Sequence, residues 1–279
     1  PFPDSRFFES HGTHVAGTVA AAFDGGAVVG VGPNLGLANY NVFEHYNTPE
    51  GPVLVAFDDA IWAAMLDAAT QGFDVINMSL GGYIVKPESQ EGVASWVAWN
   101  RMADYVSRQG VTIVTSSGNA NLNLNGPVDH IPSDLPGVIS VGATGIRLDY
   151  EYPQEGAYDV RAFYSNYGAA TTLVAPGGDL GPEGTPNPFP AAFYLVFSAD
   201  VSPDPTCAAT ASCPVGYAWA GGTSMASPHV AGAAGLVKDL SPGLNPDQVI
   251  SIIKRTAENL GDRLEFGHGM LDVEKAVME

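Results

Sequence analysis

The sequence predicts an α/β domain with a mostly parallel central sheet and crossover helices. Two observations predict it. Short apolar runs rich in Val and Ile alternate along the chain with longer stretches of helical periodicity, as parallel strands joined by helices require. Each run also ends in Gly, Ser, Asn or Pro, where the strands of such sheets hand over to functional loops. The 279 residues suffice for one large domain with a substantial core, and they carry no internal repeat and no linker between two cores, so residues 1–279 read as a single domain.

The elements follow in order. Residues 13–22 predict a helix whose face of Val15, Ala16, Val19 and Ala20 is small enough to lie close to another backbone. Residues 44–52 read as a surface loop, 55–71 as a helix and 74–79 as a strand. A helix over 92–109 precedes a strand over 111–115, a loop over 120–136, and strands over 138–141 and 173–175. Residues 177–217 form the longest expected loop, and loops of this length usually shape substrate access. Residues 224–239 predict a helix, with Pro228 tolerable only near its start. A helix over 246–257 has Asn245 as its cap, and 274–278 is a short closing turn.

Composition narrows the function. The net charge of −19 argues against nucleic acid, because so few cations cannot neutralise phosphates. Acidic excess suits plain solubility, a saline habitat or cation sites. No apolar run reaches membrane-spanning length. Cys207 and Cys213 share one loop and read as a small disulfide, which points to an oxidising compartment; the alternative is two unrelated thiols.

Three segments carry chemistry. Ser224 stands at the mouth of a helix, where free N–H groups favour negative charge, but serine there is also an ordinary cap. His11 precedes another small-residue helix and suits a general base. His14, three residues on, invites a metal reading, yet no Glu accompanies the pair as a zincin needs; His14 and His229 are taken as structural. Asn119 closes Ser116-Ser117-Gly118-Asn119, and alone Gly-Asn is only a turn. With His11 and Ser224 it becomes an amide donor for a developing oxyanion.

The motifs HGTHVAGTVAA, VINMSLGG, SSGN, VISVGAT, FYSNYG, APGGD and GTSMASPHVAG stand in the order found in subtilisin-like serine peptidases, the subtilases, which the chain resembles from His11 to about Val277. The resemblance implies a three-layer fold with helices on both faces of the sheet. It implies His11 as base, Ser224 as nucleophile and Asn119 as oxyanion donor. Ser79, Leu80 and Gly81 would pair with the substrate backbone. Ser116, Ser117 and Gly118 would wall the pocket for the residue before the scissile bond, with His130 near its floor. It also implies a structural Ca2+ held by Ala22, Asp24, Gly26 and Val28. A second cation site near Pro176 is expected to be weak or absent, since Thr172 stands where relatives often carry Asp.

The family's triad runs Asp, His, Ser, with the Asp about thirty residues before the His. Asp4 lies too near His11 to be that strand-borne carboxylate. The expectation is therefore a separate N-terminal fragment carrying the Asp and one or more strands, a segment omitted from the sequence, or a degenerate relative. The function implied is a secreted serine endopeptidase with broad specificity and an apolar or aromatic preference. The rivals are a narrow processing peptidase and an inactive binding relative.

Overall fold

The computed structural model describes residues 5–48, 51–85, 90–147, 157–181, 190–201 and 216–279. The chain runs through α1 (Ser5–Ala20), β1 (Phe43–Thr48), β2 (Gly51–Ala56), α2 (Asp58–Gln71), β3 (Val75–Met78), β4 (Gly82–Val85) and α3 (Gln90–Arg108). It continues through β5 (Thr112–Ser116), β6 (Val128–Ile131), β7 (Ile139–Arg147), β8 (Ala157–Arg161) and β9 (Leu173–Pro176). Then come β10 (Val196–Asp200), β11 (Gly216–Ala220), α4 (Thr223–Leu240), α5 (Pro246–Thr256), α6 (Arg263–Phe266) and α7 (Val273–Met278).

The expected sheet is present. β3, β5 and β7 run parallel, with Asn77 opposite Val114 and Thr115 opposite Ser140. β9 joins β7 in parallel and β8 joins it antiparallel. Side-chain alternation along β5 feeds two cores. Val114 packs with Val141, Ala226, Val230 and Val249, under α1, α4 and α5. Ile113 packs with Met65, Trp99 and Val106, under α2 and α3. Helices therefore cover both faces. The Gly- and Ala-rich sequence of α4 lets it sit in the middle: a Cβ on Gly232 would come within 2.7 Å of the Val31 Cβ and 3.2 Å of the Val19 carbonyl.

Several boundaries differ from the sequence reading. α1 begins at Ser5, not at residue 13, since Gly12 costs a helix only about 1 kcal/mol relative to Ala. His11 consequently sits inside the helix rather than at its mouth. The expected loop over 44–52 is a β1–β2 hairpin that also takes Val55 and Ala56. α2 starts at Asp58 instead of 55, because Phe57 is extended and Asp58 and Asp59 place carboxylates at the positive end of the helix dipole. β6 lies in the expected loop over 120–136 and pairs antiparallel with β4. β10 lies in the expected loop over 177–217 and pairs with β11, which begins at the end of that loop. Cys207 and Cys213 lie outside the described residues. Asn245 caps α5 as expected, in a reciprocal box with Gln248. Among the described residues no helix is long and apolar enough to cross a membrane.

Candidate active site

Ser224 is the second residue of α4, so its N–H is among those a helix leaves unbonded. Its hydroxyl donates to the Ser79 carbonyl at 3.3 Å. Pro228 is the sixth residue of α4 and has no N–H for the carbonyl of Ser224, four residues back. Ser79 fills that role: its Oγ donates to the Ser224 carbonyl at 2.9 Å. The same Oγ lies 2.8 Å from Ser227 Oγ and accepts from Asn77 Nδ2 at 3.0 Å. A proline that would weaken an ordinary helix thus becomes a joint between α4 and the strand end beside it.

Asn119 follows β5. Its Oδ1 accepts from the Thr223 N–H at 2.9 Å and from Thr223 Oγ1 at 2.7 Å. A backbone N–H only donates, so Oδ1 is fixed on Thr223 and Nδ2 is left as the outward donor. Thr223 Oγ1 in turn accepts from the Gly118 N–H at 3.2 Å. Behind the loop stands Asn166, fully buried, whose Oδ1 accepts from the N–H groups of Ala120 (3.1 Å) and Leu122 (2.9 Å). Its Nδ2 donates to the Ser117 carbonyl at 2.8 Å and to Tyr83 Oη at 3.0 Å.

His11, Ser79, Leu80, Gly81, Ser116, Gly118, Asn119, His130 and Ser224 border one cleft of about 1270 Å³. Burial, and then the neighbouring His14, hold the His11 imidazole below its ordinary pKa, so at neutral pH it is an uncharged base. His14 Nε2 lies 3.3 Å from the Val196 carbonyl, and His229 Nδ1 lies 2.9 Å from the Met225 carbonyl. Both are held below their usual pKa chiefly by burial.

One expected wall residue falls elsewhere. Ser117 is fully buried and does not face the cleft: its N–H bonds the Val141 carbonyl and its carbonyl takes Asn166. His130 borders the cleft. Its ring lies between Gly81 and Gly118 and packs at 4.9 Å, centroid to centroid, against Tyr83. The residues expected to bind calcium, Ala22, Asp24, Gly26 and Val28, form a separate turn away from the cleft. There Asp24 Oδ1 accepts from the Gly26 N–H at 3.0 Å. Among the described residues no three His, Cys, Asp or Glu side chains gather to hold a metal.

Sequence reasoning missed Thr223, Asn166 and Tyr83. Thr223 stands inside the GTSMAS motif and Asn166 inside FYSNYG, so both were in view; their partners were not.

Comparison with known proteins gives the family and the fold. The model of the subtilase family of peptidases matches residues 1–269. Subtilisin DY of Bacillus licheniformis is 31% identical over 266 residues, covering 95% of this chain and 77% of its own. Alkaline elastase YaB of a Bacillus strain is 32% identical over 266 residues, but the chain spans only 54% of that protein. The crystal structure of a lanthipeptide protease superposes with a TM-score of 0.72 at 27% identity, covering 96% of this chain and 74% of that one.

Proposed function

The chain belongs to the subtilase family of serine peptidases, and we propose that it hydrolyses peptide bonds through an acyl-enzyme on Ser224. The Ser224 oxygen attacks the carbonyl carbon while His11 takes its proton. His11 then returns that proton to the leaving amine, and water hydrolyses the ester by the same route in reverse order. The Asn119 amide and the Ser224 N–H hold the oxyanion formed at each attack. The segment 79–81 pairs with substrate main chain, which reads an extended backbone rather than its sequence. The observation that carries this reading is the Asn119–Thr223 clamp, which fixes the Asn119 amide against the residue next to Ser224, in the cleft that both residues border. Treatment with a sulfonyl fluoride tests it. Ser224 becomes labelled and hydrolysis stops, and Ser224→Ala loses both; an unlabelled Ser224 in a folded chain would point to a binding relative instead.

A carboxylate to orient His11 is part of the same reading. Among the described residues β3 pairs on one edge only, with β5. Beside it is a cavity of about 660 Å³, bordered by His11, by residues 34–40 and by 72–80. An added strand on that edge, from a separate fragment or from a longer form of this chain, would fill the cavity and bring an Asp to His11. Intact mass and peptide mapping of the active enzyme check this; an active preparation holding no such Asp-bearing segment defeats it.

The turn bearing Ala22, Asp24, Gly26 and Val28 offers a carboxylate and backbone carbonyls, the hard oxygens Ca2+ prefers. It supplies fewer than the usual six to eight or so, so any cation there draws further oxygens from outside it. Its role would be structural. A chelator should lower the thermal midpoint of the wild type but not of Asp24→Ala. Export to an oxidising compartment is supported by the Cys207 and Cys213 pair, and alkylation of these thiols only after reduction is its check. The likeness to a lanthipeptide protease favours a second reading, in which one partner protein is processed; cleavage of a few sequences only in a peptide library would select it.

A further inference from the structure

We propose that the slot for the residue on the acyl side of the scissile bond (P1) is plugged by the His130 ring beneath Tyr83, so that the enzyme accepts only small P1 residues: Gly, Ala or Ser. This deepens the endopeptidase reading and rests on it.

The slot lies between the segments 79–81 and 116–118. At Gly81 an added Cβ would stand 2.4 Å from His130 Cε1 and 2.6 Å from Nε2. At Gly118 it would stand 2.9 Å from His130 Cδ2 and 2.7 Å from Tyr83 Oη. A carbon–carbon bond adds about 1.5 Å, so the imidazole is in van der Waals contact with both walls at once. It spans the gap that a P1 side chain would enter. His130 is 3% exposed.

The plug is held on every side. β4 and β6 place Tyr83 and His130 directly opposite one another, and residues so paired share a face. His130 Nδ1 lies 2.9 Å from Ser133 Oγ, and the His130 N–H donates to Asp134 Oδ2 at 2.9 Å. Tyr83 Oη accepts from Asn166 Nδ2 at 3.0 Å. Admitting a Phe or Leu would require the imidazole to leave Ser133 and the Tyr83 ring together. Neither the His130 ring nor Asp129 adds a charge preference. Burial pushes the His130 pKa down to about 4, so the ring is neutral and offers an acidic P1 no cation. Strand alternation turns Asp129, its neighbour on β6, to the opposite face, so a basic P1 finds no carboxylate there. A small P1 replaces the apolar or aromatic preference expected from sequence.

The test is a set of fluorogenic peptides differing only at P1 (Ala, Leu, Phe), with the full chain as made from its gene. Wild type should show kcat/KM for Ala at least about tenfold above that for Phe, the scale on which pockets discriminate by size. In His130→Gly that ratio should fall at least about tenfold, through faster Phe turnover. Wild-type turnover of Phe equal to or above Ala overturns the proposal, as does an unchanged ratio in a folded His130→Gly. Should that variant not fold, Tyr83→Ala and the wild-type ratio decide. Absence of both Ser224 labelling and hydrolysis sinks the endopeptidase reading and this proposal with it. A labelled, hydrolysing enzyme that favours Phe sinks this proposal alone.

Discussion

Replacing Thr223 by Val keeps the shape of the side chain and removes its oxygen. Two bonds hold Asn119 Oδ1, one from the Thr223 N–H and one from its hydroxyl. Val keeps the first. A single such bond is worth about 1 kcal/mol net, so its loss lowers the ratio of correctly to wrongly aimed Asn119 about fivefold. The oxyanion exists only after attack, so the loss should appear in kcat with KM nearly unchanged. Stability should fall separately. The buried Gly118 N–H now donates to Thr223 Oγ1 and would lose its acceptor, at a cost of about 1–3 kcal/mol. Steady-state kinetics on a chromogenic peptide and a thermal scan at fixed rate measure the two effects. Thr223→Ser keeps the hydroxyl and should restore both. If Thr223→Val matches wild type in both kcat and thermal midpoint, or if Ser rescues nothing, Thr223 does not aim Asn119 and the argument fails.

Three further outcomes are expected. Asn166→Leu removes four bonds behind the Asn119 loop, so its apparent melting point should drop by about 5 °C or more with a parallel fall in kcat; an unaltered melting point would show the loop held by other means. Ser79→Ala strips the Ser224 carbonyl of the donor that Pro228 cannot supply, and should cost about 1–3 kcal/mol in denaturant unfolding, with no cost if water replaces the hydroxyl. His130 has an ordinary pKa of 6.5 and a folded one of about 4, so above the former both states are neutral and it contributes nothing. Between those values the unfolded chain takes up a proton that the folded chain refuses, so stability is lost as pH falls, by about 3 kcal/mol in full. Unfolding midpoints of wild type and His130→Gln across this range should diverge as pH falls, and parallel curves would contradict the burial assigned to the ring.

What the sequence disclosed and what it hid have a common physical cause. α4 is read to within one residue at each end because its signals are local: a Gly before Thr223, small residues along every face, and a proline in the second turn. α5 is read for the same reason, through Asn245 and Pro246. The central strands show as apolar runs because both their faces are covered. The β1–β2 hairpin, β6, β10 and β11 stay hidden, since each is short, partly polar and defined by a partner rather than by its own pattern. The site divides in the same way. His11, Asn119 and Ser224 stand in dense motifs. The place of His130 between two glycines depends on the register of β4 against β6, which no stretch of either strand encodes alone. Thr223 and Asn166 are legible as residues but not as bonds.

Among the described residues β4 and β6 pair only with each other. The side chains that choose a substrate thus ride on a small ribbon, and those that break it ride on the helices and strand ends of the main body. A change at Tyr83 also releases Asn166, which braces the loop after β5, so altering the ribbon is felt in the body it leans on.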